Sequence, residues 1–526
     1  MSDSDFALDT KTRLDALFAQ WNRADAPGLI VGVRHGEYGE YRRAFGMASL
    51  ETGVANALST RMRIGSTSKH MLAALALTFE DEGLINLDRP IGDYLPQLSA
   101  PNAEPTIRQL LQHRGGTRCH IDLGFIGHGM VAPPEGSAWE VLMRQTGRNF
   151  LPGSATCYNN GGYHLVSLAL ARLGGAPLDA LLARKLFGPL SMTATSLEPS
   201  DHVMIPGAAS LHQARQDGRW ERGLFPSLEM LGEGGVVSTI GDMLAWAAHI
   251  RGGLGSRLLD LPIEADGSQG YYGLGLMAQN YRGISTFRHA GTVIGGSCEM
   301  VCAPKEALDV VILANGAPGV SPSLLADQVV DIVLAPLVHP AAAPPPADAF
   351  ARWLGDYGSQ ETGMVYALEE KAGDLHLRVA KYPVTWPLAA EADGWLATGA
   401  TGLGTIRIRP GRDSIRLRFA GSEERLEKLS PAPFDPAIVG RYESAESGLT
   451  AAIGTSERGF SVQFSDHRGV GTFDLAPLGG RWLHIRSALD PAQFGASLWF
   501  PEGWSGHFLL NSARTRGLAF DRVGRC

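Results

Sequence analysis

The strongest constraint on this chain is a proline-rich run, His339-Pro-Ala-Ala-Ala-Pro-Pro-Pro-Ala347. Consecutive prolines remove backbone donors and fix φ, so the run can continue neither a helix nor a central strand and reads as a stiff, extended linker. It is the clearest domain boundary in the chain. A length of 526 residues, too great for one ordinary core, agrees with that division.

Before the linker, strand-like runs stand at both ends of a helical middle. Leu29–Arg34 and Tyr41–Phe45, joined by a His35-Gly36-Glu37 turn, form a hairpin, and a helix over residues 8 to 22 precedes it. Further strands are expected at Tyr272–Leu276, Phe287–Gly291, Ser297–Val301 and Leu308–Leu313. Helices are expected at about 66 to 83, 106 to 112, 138 to 146, 161 to 173, 177 to 185, 240 to 250 and 323 to 335. This pattern predicts an α+β domain over residues 1–338, an antiparallel sheet built from both ends of the segment and flanked by helices.

Beyond the linker, short alternating runs such as Leu375–Val379, Gly404–Arg409 and Ser414–Phe419 predict small antiparallel β-barrels. Gly355-x-Tyr357 is echoed by Gly440-x-Tyr442, and Gly363 and Gly448 follow at the same offset. The tail is therefore divided into two barrel domains, 347–430 and 431–526, with the boundary at Ser430-Pro-Ala-Pro-Phe434.

Hydrophobic residues at 44% and charged residues at 19% describe a globular chain rather than a disordered one. A net charge of -8 with no basic stripe argues against nucleic acid as a partner. No apolar stretch reaches the ~18 residues that span a bilayer, so no membrane partner is expected. An acidic Met1–Phe6 start in place of a basic leader gives a cytoplasmic expectation. The cysteines at 119, 157, 298, 302 and 526 are odd in number and scattered, which predicts free thiols.

Chemistry-bearing residues fall in three places. Ser66 and Lys69 lie three apart at a helix start, so the amine faces the hydroxyl near the positive end of the helix dipole. A serine hydroxyl needs such a base to become a nucleophile, and the lysine serves only if burial or nearby charge lowers its pKa. Tyr158 and Asn160, two apart in an extended loop after Pro152-Gly153, point the same way. The phenol could share a proton with Lys69, and the amide could bind both lysine and a substrate carbonyl. His289-Ala290-Gly291-Thr292 lies on a strand whose glycine allows close approach of a ligand. Read singly, Ser66 fits a helix cap with a solvated Lys69, Tyr158 a buried aromatic and His289 a surface histidine on an edge strand. His113, His120, His128 and Cys119 match no metal-ligand spacing, so neither a metal nor a cofactor is expected.

Together, Ser66-Thr-Ser-Lys69, Tyr158-Asn-Asn160 and His289-Ala-Gly291 resemble, in that order, the serine β-lactamase and penicillin-binding-protein superfamily, in its class C-like branch. Residues 232–246 and Phe187-Gly-Pro-Leu190 support the likeness. With two barrels in the tail, the chain is most similar to the D-aminopeptidase group, which acts through an acyl-enzyme to release N-terminal D-amino acids from short peptides or amides.

The resemblance implies Ser66 as nucleophile, Lys69 as proton acceptor and Tyr158 as proton shuttle to the leaving amine. It also implies Asn160 on the substrate carbonyl, His289 hydrogen-bonding near Tyr158, and the N–H groups of Ser66 and Thr292, beside Gly291, as oxyanion hole. It implies a small peptide or amide as partner, with a homodimer as the expected assembly. His289 stands where a lysine is usual, which removes a fixed cation for a substrate carboxylate. Asn159 is bulkier than the usual small residue between Tyr158 and Asn160. The alternatives are a class C-like esterase, β-lactamase or D,D-carboxypeptidase, and a catalytically silent binding protein. The Ser465–Gly471 loop of the last domain is expected to reach the cleft.

Overall fold

The computed structural model describes residues 8–524 apart from 37–38, 216, 382–383, 400–404, 431, 457–458, 487–494 and 504–505. The expected readings at Met1–Phe6, Glu37, Gly404, Pro431 and Cys526 lie outside the described residues. The chain divides into two compact units. One holds Met1–Arg89, Tyr163–Pro262 and Tyr271–Pro340, the other Pro90–Gly162, Ile263–Gly270 and Ala341–Cys526.

The first unit is built on a six-stranded antiparallel sheet, β1 (Leu29–His35), β2 (Glu40–Phe45), β3 (Met277–Tyr281), β4 (Ile284–Val293), β5 (Gly296–Ala303) and β6 (Leu308–Ala314), in the order β3-β4-β5-β6-β1-β2. The two ends of the segment meet where β1 pairs with β6, Val31 opposite Ile312. β1 and β6 read as continuous apolar runs because both sheet faces are covered. Val31, Val33, Val310 and Ile312 pack on one face with Leu14 and Phe18 of α1 (Leu8–Phe18) and with Leu325 and Val329 of a helix at Pro322–Val333. On the other face a Cβ at Gly32 would lie 2.8 Å from the Ile240 side chain of the helix Ile240–His249, so only glycine fits there.

Two expectations in this unit are corrected. The strand expected at Tyr272–Leu276 runs instead over Met277–Tyr281, because Gly275, at φ +80, turns the chain against Lys69 and His70. Ser66 does not sit on the α-helix itself. Gly65–Ser68 is a 3-10 turn, and the buried helix that follows, α2, spans Lys69–Asp81.

In the second unit the tail forms two closed antiparallel barrels of eight strands each, over Gly355–Lys428 and Gly440–Gly524. The repeated Gly-x-Tyr marks the first strand of each. Tyr357 donates its hydroxyl to Trp353 O at 2.7 Å and Tyr442 to Ile438 O at 2.6 Å, four residues back in both cases. Gly363 and Gly448, both at positive φ, close equivalent turns on Ser359 and Ser444. The sequence reading missed a helix at His120–His128. Its Leu123 and Ile126 join the core of the second barrel while Phe125 and Gly127 on other faces are buried too, so it carries no amphipathic signature. Among the described residues no single helix is long and apolar enough to cross a membrane.

Candidate active site

Ser66 is half-buried in the 3-10 turn and Lys69, fully buried, begins the helix after it. The lysine Nζ donates to Ser66 Oγ at 3.1 Å and to the backbone carbonyl of Glu233 at 2.6 Å, and it lies 5.3 Å from the Tyr163 ring centroid. Those contacts aim the amine along the three-residue step to the hydroxyl. Ser68 Oγ donates to Gly65 O and accepts from Val236 N–H, while Ile64 N–H reaches Val236 O, which ties the 233–236 segment to the turn. The Glu233 carboxylate is 3.0 Å from His164 Nδ1, both side chains at 2% exposure or less. Burial opposes charge on His164, but Glu233 outweighs it and raises the imidazole above its ordinary value.

β4 lines the turn. A Cβ at Gly291 would lie 1.8 Å from Ile64 O, and one at Gly65, whose φ is +53, would lie 2.7 Å from Thr292 N, so both positions require glycine. Their closeness sets the Thr292 backbone beside the Ser66 turn. Thr67 Oγ1 donates to His289 O at 3.2 Å, fixing the strand to the turn a second time.

His289 is buried, with Nδ1 2.6 Å from Ala290 O and Nε2 2.8 Å from Tyr272 Oη. A carbonyl only accepts, so Nδ1 carries the proton and Nε2 accepts from the tyrosine. Burial, with the Lys69 charge adding to it, pushes the imidazole down to about 3, and it is neutral at pH 7. His70, the residue after Lys69, is buried beside it, its Nδ1 accepting from Trp246 Nε1 at 2.9 Å. The sequence assigns no role to Tyr272, His70 or His164, and Glu233 and Trp246 enter its reading only within the 232–246 segment. They come from four separated segments and none lies in a recognisable spacing.

Tyr158 and Asn160 belong to the second unit. The Tyr158 loop is held by bonds that do not involve the phenol. Cys157 N–H reaches His113 O at 2.9 Å, Asn159 N–H reaches His113 Nδ1 at 3.1 Å, and the His113 and Tyr158 ring centroids are 4.2 Å apart. Thr156 Oγ1 donates to Glu264 at 3.0 Å, and Glu264 pairs with the Arg114 guanidinium, which also reaches Gly153 O. The Asn159 amide explains its size. Its Oδ1 accepts Gly162 N–H at 3.2 Å, the bond of an N-cap on the helix Asn160–Gly174, and its Nδ2 donates to Thr117 O. Asn160 is buried, its amide nitrogen 4.0 Å from Cys119 Sγ.

The second barrel reaches this loop through a different hairpin from the one expected. In Ser465–Gly471, Asp466 bonds His128 at 2.9 Å and Arg468 pairs with Asp466, all three side chains at 3% exposure, so that turn is spent on docking to the helix His120–His128. The Ser512–Gly517 turn approaches Tyr158 instead. Ala513 O accepts from Cys157 Sγ at 3.5 Å, Arg514 O accepts from the Asn149 amide at 3.0 Å, and the Arg514 guanidinium pairs with buried Asp122. The four described cysteines are free and buried.

A helix-covered antiparallel sheet, with a serine and a buried lysine at the start of α2 and two closed barrels after it, defines a serine hydrolase of β-lactamase-like fold. The Beta-lactamase family model matches residues 14–335, and the chain belongs to that family. It is 27% identical to the D-aminopeptidase of Brucella canis over 469 residues, which cover 86% of this chain and 85% of that one. It is also 27% identical to the D-aminopeptidase of Brucella anthropi, over 80% and 79% of the two chains. In fold it resembles the octameric penicillin-binding protein homologue from Pyrococcus abyssi, with a TM-score of 0.55 and 19% identity over 80% of this chain and 99% of that one. It also resembles the D-amino acid amidase from Ochrobactrum anthropi SV3, with a TM-score of 0.54 and 19% identity over 62% and 99%.

Proposed function

We propose that this chain is a serine hydrolase that releases N-terminal D-amino acids from short peptides or amides through an acyl-enzyme on Ser66. The observation that carries the reading is the buried Lys69 amine 3.1 Å from Ser66 Oγ, on a chain whose D-aminopeptidase relatives align along 86% of its length.

Lys69 takes the Ser66 proton as Oγ attacks the carbonyl carbon, and the Glu233 carbonyl holds the amine in line for that transfer. The resulting oxyanion lies between the N–H groups of Ser66 and Thr292, a pair of donors typically worth about 3 kcal/mol each. Tyr158 passes a proton to the leaving nitrogen as the C–N bond breaks, and Asn160 orients the substrate carbonyl. Water then attacks the ester through the same groups in reverse. His289, neutral and tied to Tyr272, offers no fixed cation, which favours a substrate whose recognised end is an amine over one anchored by a carboxylate. The buried free thiols support a cytoplasmic setting.

The test is a panel of D-alanine para-nitroanilide, its L-isomer, a para-nitrophenyl ester and a chromogenic cephalosporin. Turnover of the D-anilide with little of the L-isomer is expected. Turnover of the ester alone would overturn the aminopeptidase reading, and no Ser66 adduct with any acylating probe would point to a silent binding protein.

A further inference from the structure

The Tyr158 loop is gripped from both sides by one residue that no part of the proposed chemistry uses. His113 is buried at 2% exposure and holds a left-handed backbone, φ 59, that a non-glycine residue adopts at a cost. Such conformations persist where the surroundings over-determine them, and they gather at functional sites. Here the surroundings are the loop itself. The His113 carbonyl accepts the N–H of the residue before Tyr158, its Nδ1 accepts the N–H of the residue after, and its ring lies against the Tyr158 ring. Because Nδ1 accepts, the proton is on Nε2 and the ring is neutral. The next residue extends the grip. Arg114 O accepts Gly153 N–H at 2.8 Å, and its guanidinium is fixed by Glu264, which also takes the Thr156 hydroxyl.

We propose that His113 is the positioning residue that sets the Tyr158 phenol for proton delivery to the leaving amine. The proposal rests on the reading of Tyr158 as that donor. Proton transfer requires heavy atoms within about 2.6–3.2 Å of each other, and a displacement of about 1 Å costs on the order of 100-fold in rate. A clamp on residues 157 and 159 constrains both ends of the peptide that carries the phenol and leaves the side chain to its own contacts.

The leaving group separates this role from a merely structural one. An anilide nitrogen must be protonated as its C–N bond breaks, whereas para-nitrophenolate departs as the anion. Hydrolysis of the acyl-enzyme is common to both substrates, so displacing Tyr158 lowers kcat/KM, which reads acylation, for the anilide and spares it for the ester. Loss of folded protein lowers both equally.

Two variants are compared with the parent on D-alanine para-nitroanilide and D-alanine para-nitrophenyl ester. His113→Gly removes ring and acceptor and relieves the backbone, while His113→Asn keeps an acceptor oxygen on a residue tolerant of left-handed φ. His113→Gly is expected to lower the anilide-to-ester ratio of kcat/KM about 100-fold, and His113→Asn about 10-fold. An unchanged ratio in either folded variant overturns the proposal. Tyr158→Phe, assayed alongside, tests the underlying reading. If it leaves the ratio unchanged, the donor role of Tyr158 fails. If it lowers the ratio while the His113 variants do not, only the clamp fails.

Discussion

The Ser66 turn and the Tyr158 loop are held in opposite ways. Ser66 and Lys69 are three residues apart on one helix start, so their 3.1 Å contact follows from local geometry, and glycines at 65 and 291 let the strand close against it. The Tyr158 loop has no regular structure of its own and is fixed by His113, 46 residues before Asn159, and by Ala513, 356 residues after Cys157. Local geometry withstands substitutions elsewhere in the chain. A loop held by distant contacts inherits the stability of whatever holds it.

The largest effect tests the local pair. Ser66→Ala and Lys69→Ala are each expected to lower kcat about 10⁴-fold while leaving the fold intact, because the contacts of β4 with the turn run through backbone and Thr67. Covalent labelling by a fluorophosphonate, followed by intact-mass measurement, reads the loss directly. A labelled Ser66→Ala protein would remove the turn from the mechanism.

The next effect tests the distant anchor. Arg514→Ala strands the Asp122 carboxylate, whose side chain is 4% exposed, without its cation. It is expected to destabilise the protein by about 3 kcal/mol in urea unfolding, the scale for breaking a buried pair. If the loop inherits its order from the barrel, anilide turnover falls as well, at denaturant concentrations below the main transition. Full activity up to the unfolding midpoint would show that the loop is held without the barrel.

The smallest effect is the pH response of the histidine on β4. The His289 imidazole is depressed from 6.5 to about 3 in the folded chain, so as pH falls the unfolded chain takes up the proton first. Its contribution makes stability fall as pH drops from about 6.5 toward about 3. The raised value of His164 acts in the other sense, adding stability at low pH that is lost as pH rises through its folded value. His289→Gln is expected to flatten the acid slope of the melting temperature between pH 6.5 and 4. An unchanged slope would mean that His289 takes up its proton equally readily in the folded chain.

Much of this was written in the chain because the signals are local. A three-residue step at a helix start, a strand glycine beside a histidine, a proline linker and a repeated Gly-x-Tyr each depend on neighbours in sequence. The repeat proved to run as far as the hydroxyl bonds of Tyr357 and Tyr442 to carbonyls four residues back. The helix at His120–His128 was invisible because burial on several faces erased the periodicity that marks a surface helix. His113 stood out only as a loop histidine in no metal-ligand spacing, and nothing within a few residues of it points to Tyr158.

By itself, then, the sequence determined the pairing of Ser66 with Lys69, the sheet built from both ends of the first segment, and the two barrels. Tertiary structure alone decided that burial keeps His289 neutral with its Nε2 on Tyr272, that the Glu233 carbonyl steers Lys69, and that His113 and the Ser512–Gly517 turn secure Tyr158. The physical reason is distance along the chain. Hydrogen-bond geometry between residues three apart is set by backbone dihedrals, whereas contacts between residues separated by tens or hundreds of positions exist only after the core has closed around them.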